Sequence, residues 1–319
     1  IDVARRFALV SGDFELKAGA KARLREKDYN LTDNVYDGFD GADDFTLADV
    51  VGGQTYSLAN LGPLPDLNKA RAFFAANRDL FELNAFDSEY EAAAAYFDVN
   101  EDIYAAYLQG RYETGALMVI GGVRMEQTKD DLKGNTLETY EEGATLNGVV
   151  LDEDTNVITP FTASKDYTDW LPSVNVKYQA SENVILRGGV FASIVRPGIG
   201  KLAPRFLIEQ NDDNEREGEF GNPDLDPYHA LNADVSAEYY FAPGGVIQIG
   251  AFYKDIEDFI VDQNLDIAGV YRGIAYDEAT IPINGDTAKV KGVEFNYQQA
   301  LDFLPGLFDG TLVGFNYTY

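Results

Sequence analysis

Two acidic runs hold the side chains best suited to metal chemistry. Asp152-Glu153-Asp154-Thr155-Asn156 and Asn211-Asp212-Asp213-Asn214-Glu215 place carboxylates at the two-residue spacing of calcium loops. Neither run has the central glycine and distal glutamate of an EF-hand, so a solvated acidic loop is the simpler reading for Asp152, Asp154, Asp212 and Asp213. A second set suits binding. Tyr167, Trp170, Phe206, Phe220, Tyr271, Arg272 and Tyr276 lie in or near the long, irregular parts of the chain. Aromatic faces stack against the apolar C–H face of a sugar ring. For Trp170, just before Leu171-Pro172, interface anchoring or loop packing is the stronger reading, whereas for Tyr271 and Arg272 the two stand level.

Covalent chemistry has little to work with. Cysteine is absent, which excludes disulfides, thiol catalysis and cysteine metal sites. His229 is the single histidine, so one chain cannot form a histidine metal cluster. With so many carboxylates, some pair falls at glycosidase spacing by chance. There is no nucleophile elbow, zinc motif or phosphate loop. No enzyme activity and no cofactor are expected.

The charge narrows the partners. Of 319 residues, 25 are Lys or Arg and 54 are Asp or Glu, for a net charge of −29. Such a chain repels nucleic acid and anionic cytoplasmic leaflets. It permits cationic ligands or divalent ions, and a solvated acidic surface is the simpler reading. No apolar run reaches the roughly 18 residues of a transmembrane helix.

The elements that must carry these residues alternate with period two. In Leu171–Pro197 (LPSVNVKYQASENVILRGGVFASIVRP), Val174, Val176 and Tyr178 share one face, and Asn175 and Lys177 the other. After Ala180 to Asn183, Leu186 and Val190 oppose Arg187. Similar alternation covers 14–25, 104–112, 117–126, 231–241, 247–254 and 313–319. Around Val290 to Tyr297 it slips at Gly292, which predicts a bulge. The connections alternate short and long. The long ones cover about 30–100, 130–166, 198–228 and 262–287. In the first, Asp66 to Leu83 and Glu89 to Phe97 have helical spacing.

Lumen-type charges (Arg23, Lys177, Arg187, Asp234, Glu238) occupy the polar faces, where a sandwich core would not tolerate them. The apolar faces are therefore expected to meet lipid, with Tyr178, Tyr239, Phe241, Tyr297 and Tyr317 as interface aromatics. This predicts an all-β, transmembrane antiparallel barrel wall with short periplasmic turns and long extracellular loops.

The run ending in Arg196-Pro197 resembles a hairpin of TonB-dependent outer-membrane receptors. Asn222 to Pro227 (NPDLDP) is similar to their Asn-Pro-x-Leu-x-Pro segment, and Phe252 to Ile260 (FYKDIEDFI) to the strand that follows. Val290 to Tyr319 resembles the next hairpin, and Tyr104 to Glu126 an earlier one. The chain is most similar to the large receptors of sphingomonads, Caulobacter and Xanthomonas, many of them linked to carbohydrate uptake.

The resemblance implies a barrel of about 22 strands around a plug. About ten strands are countable here, with neither the plug nor a TonB-binding box, so 1–319 is expected to be an internal barrel piece. It also implies residence in the outer membrane of a Gram-negative bacterium, among lipid and lipopolysaccharide. Its implied partners are TonB, ExbB and ExbD acting through the plug, and a surface lipoprotein is a further one. The implied activity is uptake of an oligosaccharide. A ferric siderophore, or a passive porin or surface-binding barrel, are the alternatives.

Overall fold

The computed structural model describes residues 1–42, 45–53 and 58–319, with backbone only at 307. Ten strands follow one another as antiparallel neighbours. They are β1 (Asp2–Leu9), β2 (Gly12–Tyr29), β3 (Phe97–Thr114), β4 (Leu117–Tyr140) and β5 (Thr155–Ser181). Then come β6 (Val184–Val195), β7 (Tyr228–Ala242), β8 (Gly245–Glu257), β9 (Thr287–Ala300) and β10 (Leu312–Thr318).

Tight turns join the strands at one end. Gly115 at φ 43° and Gly244 at φ 69° supply the left-handed conformations that two of these turns need. The register carries each face across the wall, because paired residues point the same way. Ala18, Leu108, Val123, Pro172 and their neighbours make an outer apolar band. Leu108, Val174, Val190, Leu231, Val235 and Ile249 are exposed within it, an apolar area that calls for a membrane. Tyr178, Tyr239, Phe241 and Tyr297 sit toward its turn end, with Phe241 and Tyr297 stacked at 6.1 Å. Tyr104, Trp170 and Tyr253 mark the other end.

Β9 pairs with β8 from Thr287 to Gln299 without a register shift, so there is no bulge at Gly292. The lumen position is glycine for a packing reason: a Cβ there would come within 2.7 Å of the Phe252 ring.

Most of the stretch 130–166, expected as a loop, is strand. Β4 and β5 stay paired from Leu117–Tyr178 up to Tyr140–Thr155, well beyond the apolar band. There the outer face turns polar (Lys129, Asp131, Lys133, Asp166), because it has left the lipid. Β3 stops pairing with β4 at Lys133. Phe206–Gln210 then takes over that edge of β4 in parallel, with Phe206 opposite Thr136. Arg216–Phe220 pairs antiparallel with Phe206–Gln210, Glu278–Asn284 pairs parallel with Arg216–Phe220, and Ile260–Leu265 closes the series antiparallel. Since Ile260 follows β8 by only two intervening residues, the strands form a circuit. Four loop strands return from β4 to the top of β8, and β5, β6 and β7 complete it.

The first helix is shorter than its spacing predicts. It runs Leu67–Ala76, begins on the Asp66 side chain and ends at Asn77, whose side chain bonds the Phe73 carbonyl. Phe81–Asn84 then pairs with Val35–Phe39 instead of extending the helix. The second helix, Ala85–Ala95, starts earlier than expected because Asn84 accepts the Asp87 N–H as its cap. It packs Ala93, Ala94 and Tyr90 on Leu137, Ile158 and Leu207.

Candidate functional site

The lumen face of β5 to β10 is a polar trough of about 720 Å³. Lys177, Arg187, Asp234, Gln248, Glu294 and Asn316 line it. Arg187 Nε donates to Glu238 Oε1 at 2.6 Å, and the Tyr240 hydroxyl donates to the same carboxylate at 2.8 Å. Arg23 falls on the same face by register, since it pairs with Ile103 one row from Glu101. All five charges singled out for the lumen (Arg23, Lys177, Arg187, Asp234, Glu238) therefore share the polar face.

Above the apolar band the polar face becomes a buried hub. Adjacent β3, β4 and β5 bring Glu101, Asp130 and Lys165 into one row, Ile103, Thr128 and Tyr167 into the next, and Ala105, Glu126 and Asp169 into a third. Arg196, the first residue after β6, reaches in. It donates to Glu126 at 2.6 Å and to Thr128 at 3.0 Å, while Arg124 holds the other oxygen of Glu126 at 2.5 Å. Arg25 donates to Glu101 at 2.8 Å. His229 Nε2 lies 2.8 Å from Asp169, and its Nδ1 lies 3.6 Å from Asp258.

Asp130 is 3% exposed and its Oδ1 has no partner. It stands outside the membrane band, between the outward-facing Lys129 and Asp131. Burial, and then the Glu101 charge, push its carboxyl up to about 6.

Most of the aromatic candidates meet in the loop sheet. Phe206, Phe220 and Tyr276 form a buried cluster with Ile208, Ala279 and Ile281, and Tyr271 and Phe161 pack against it. Phe206 meets Phe161 edge-on at 4.8 Å, and Tyr271 lies 5.2 Å from Phe220. Arg272 and Gly273, at φ 49° and 90°, form the two-residue turn between Gly269–Tyr271 and Ile274–Tyr276. The Arg272 guanidinium pairs with Asp224 and lies over Phe161 at 5.7 Å. These side chains are turned toward one another and hold the loops together. Tyr167 belongs to the hub instead. Trp170 stands apart from both groups, on the outer face and 63% exposed.

Asp154 accepts the Glu142 N–H at 2.8 Å, and Asp152 lies beside it in the tip between β4 and β5. Asp212 and Asp213 lie in the turn between Phe206–Gln210 and Arg216–Phe220, where Asn214 bonds the Thr145 N–H. Among the described residues, no three histidine or carboxylate side chains gather into a metal site.

Sequence patterns did not single out the hub residues Glu101, Glu126, Asp130 and Asp169. The nearest signals were the Arg196-Pro197 pair and the lone His229.

The chain matches the family described as "TonB dependent receptor-like, beta-barrel" over residues 4–319. No curated protein matches it. Among solved structures, a double mutant of the Serratia marcescens hemophore receptor HasR, in complex with its hemophore HasA and heme, is 13% identical. It superposes with a TM-score of 0.53 over 93% of this chain and 38% of its own. The ferric-catecholate import receptor Fiu from E. coli K12 is 14% identical, with a TM-score of 0.53 over 94% of this chain and 34% of its own. At these identities the likeness is one of fold, and the chain spans little more than a third of either protein. The family is a Gram-negative outer-membrane group of transporters, not enzymes. The period-two wall, its lipid-facing band and the match across nearly all of its length make this chain a member of the TonB-dependent receptor β-barrel family.

Proposed function

We propose that this chain forms barrel wall and extracellular loops of a receptor that takes up an oligosaccharide across the outer membrane of a Gram-negative bacterium. The energy comes from TonB, with ExbB and ExbD, acting through a plug held against the polar face. Lipid and lipopolysaccharide surround the apolar band, and a surface lipoprotein is a compatible partner for the loops. The observation that carries this reading is the pairing of a polar, amide-bearing lumen face with loops folded into one sheet at its mouth. Charge favours a saccharide over a ferric siderophore: a net −29 chain repels anionic chelates, whereas neutral hydroxyls can use both its carboxylates and its amides.

Calorimetric titration of the detergent-purified full-length receptor tests this, with one panel of oligosaccharides and one of ferric chelates. Saturable heat with a saccharide is the expected result. Heat with a ferric chelate alone would remove the saccharide reading. In the same assay Trp170→Ala is expected to leave affinity within about twofold, because its ring belongs to the interface belt. A larger loss would return Trp170 to the ligand contacts.

A further inference from the structure

On the face of the loop sheet opposite the aromatic cluster lies a cleft of about 510 Å³, within the range of roughly 300–1,000 Å³ typical of ligand sites. Tyr90 of helix Ala85–Ala95 forms one side. Arg205, Leu207, Glu217, Glu219 and Pro282 come from the sheet. Three charged groups in it are already committed: Lys201 and Asp262 pair at 2.7 Å, and Glu209 accepts the Tyr90 hydroxyl at 3.1 Å. Burial and Glu209 push that phenol up to about 12, so it stays a proton donor.

Arg205 is different. Its Nε is out of reach of water and bonds nothing, and among the described residues its guanidinium has no ion pair and no hydrogen-bond acceptor. Leaving the buried Nε–H unmet is costly, and the other four N–H donors of the guanidinium have no protein acceptor among the described residues. Arg111 and Arg216 also have a buried, unpaired Nε, but each carries an ion pair through another nitrogen. Glu217 and Glu219 line the same cleft and accept no side-chain hydrogen bond.

The cleft thus holds free donors and free acceptors together with the apolar surfaces of Leu207 and Pro282. Adjacent hydroxyls on a sugar ring are donor and acceptor at once, and their C–H groups suit those surfaces. The charge decides the kind of sugar. One uncommitted cation faces two uncommitted carboxylates, besides the Tyr90-bound Glu209, so an added negative charge is opposed.

We infer that this cleft docks a neutral saccharide unit, with Arg205 donating to one hydroxyl and Glu217 and Glu219 accepting from its neighbours. The inference rests on the oligosaccharide reading above and assigns it a place.

The test is titration of the detergent-purified full-length receptor with maltotriose, cellotriose, xylotriose and trigalacturonate. At least one neutral trisaccharide is expected to bind about tenfold or more tighter than the uronate. Arg205→Gln is expected to weaken the neutral sugar about tenfold, the loss of one charge-assisted hydrogen bond. The double variant Glu217→Gln, Glu219→Gln is expected to narrow the gap between neutral sugar and uronate, a change of selectivity that general unfolding would not produce. Two results overturn the cleft while leaving saccharide uptake intact: neutral binding untouched by all three substitutions, or a uronate preference in the unaltered receptor. Binding of a ferric chelate and of no saccharide removes both readings.

Discussion

Phe206→Ala is expected to free the extracellular sheet while sparing the barrel wall. Phe206 is 0% exposed and stands where the sheet is most dependent on one residue. Its backbone lies between Thr136 of β4 and Phe220. Its ring contacts Phe161 at 4.8 Å, Tyr271 at 6.0 Å and Phe220 at 6.1 Å. Truncating a buried phenylalanine costs about 3–5 kcal/mol, because the cavity closes only in part. Among the described residues this cluster is the largest apolar core of the loop strands, with Leu207 and Ile260 packing elsewhere, so local opening there should become about 100-fold more frequent or greater. Hydrogen exchange would show this as lost protection in 206–220 and 260–284, with β6 and β7 unchanged. Equal protection in both proteins would mean that the aromatic cluster does not hold the sheet.

Asp130→Asn is expected to stabilise the top of β3, β4 and β5 at neutral pH. The folded protein holds this carboxyl at about 6, against an ordinary value of 3.8. A raised carboxyl means that the folded state binds the proton more tightly. Below about pH 4 the group is protonated whether folded or not and imposes no penalty. Stability is lost as pH rises from about 4 to about 6, and the full penalty persists above that. Two pKa units correspond to about 2–3 kcal/mol. The amide keeps the shape and removes the charge beside Glu101. Urea unfolding of the detergent-solubilised receptor at pH 4 and at pH 7.5 checks the sign. The variant should be the more stable at pH 7.5 and indistinguishable at pH 4. The same advantage at both values would show that packing, not charge, is responsible.

The strands inside the membrane were legible because lipid enforces a strict contrast. Val174, Val176 and Tyr178 can only be apolar, and Asn175 and Lys177 are free to be polar. That contrast ends where the lipid ends. Above Met125 and Trp170 both faces of β4 and β5 carry charges, so the alternation fades and the ribbon read as a loop. The slip at Gly292 misled for a related reason: a lumen position can be glycine to accommodate Phe252, and no backbone irregularity is needed. The loop sheet left even less trace. Its parallel pairings join Thr136 to Phe206 and Glu217 to Glu278, and nothing local marks such partners. Of the aromatic residues singled out, Phe206, Phe220, Tyr271 and Tyr276 come together in the loop sheet. Their types could not say whether they stack on a sugar or on each other. Arg205 had no distinguishing neighbour in sequence, and only the geometry separates it from the other cations.

The circuit of strands has a consequence for the order of assembly. Antiparallel neighbours joined by tight turns can zip one hairpin at a time, each closing a short stretch of chain. The parallel pairs cannot, because they join segments on opposite sides of several wall strands. Forming them first would confine a long, mobile chain for little gain. Once β4 to β8 are in place, their upper ends already hold Phe206 near Thr136 and Ile260 near the top of β8, and the remaining closures are short. The loop sheet is thus a late step that inspects earlier ones. A wall with one hairpin out of register would move Thr136 away from Phe206 and leave the aromatic cluster unassembled.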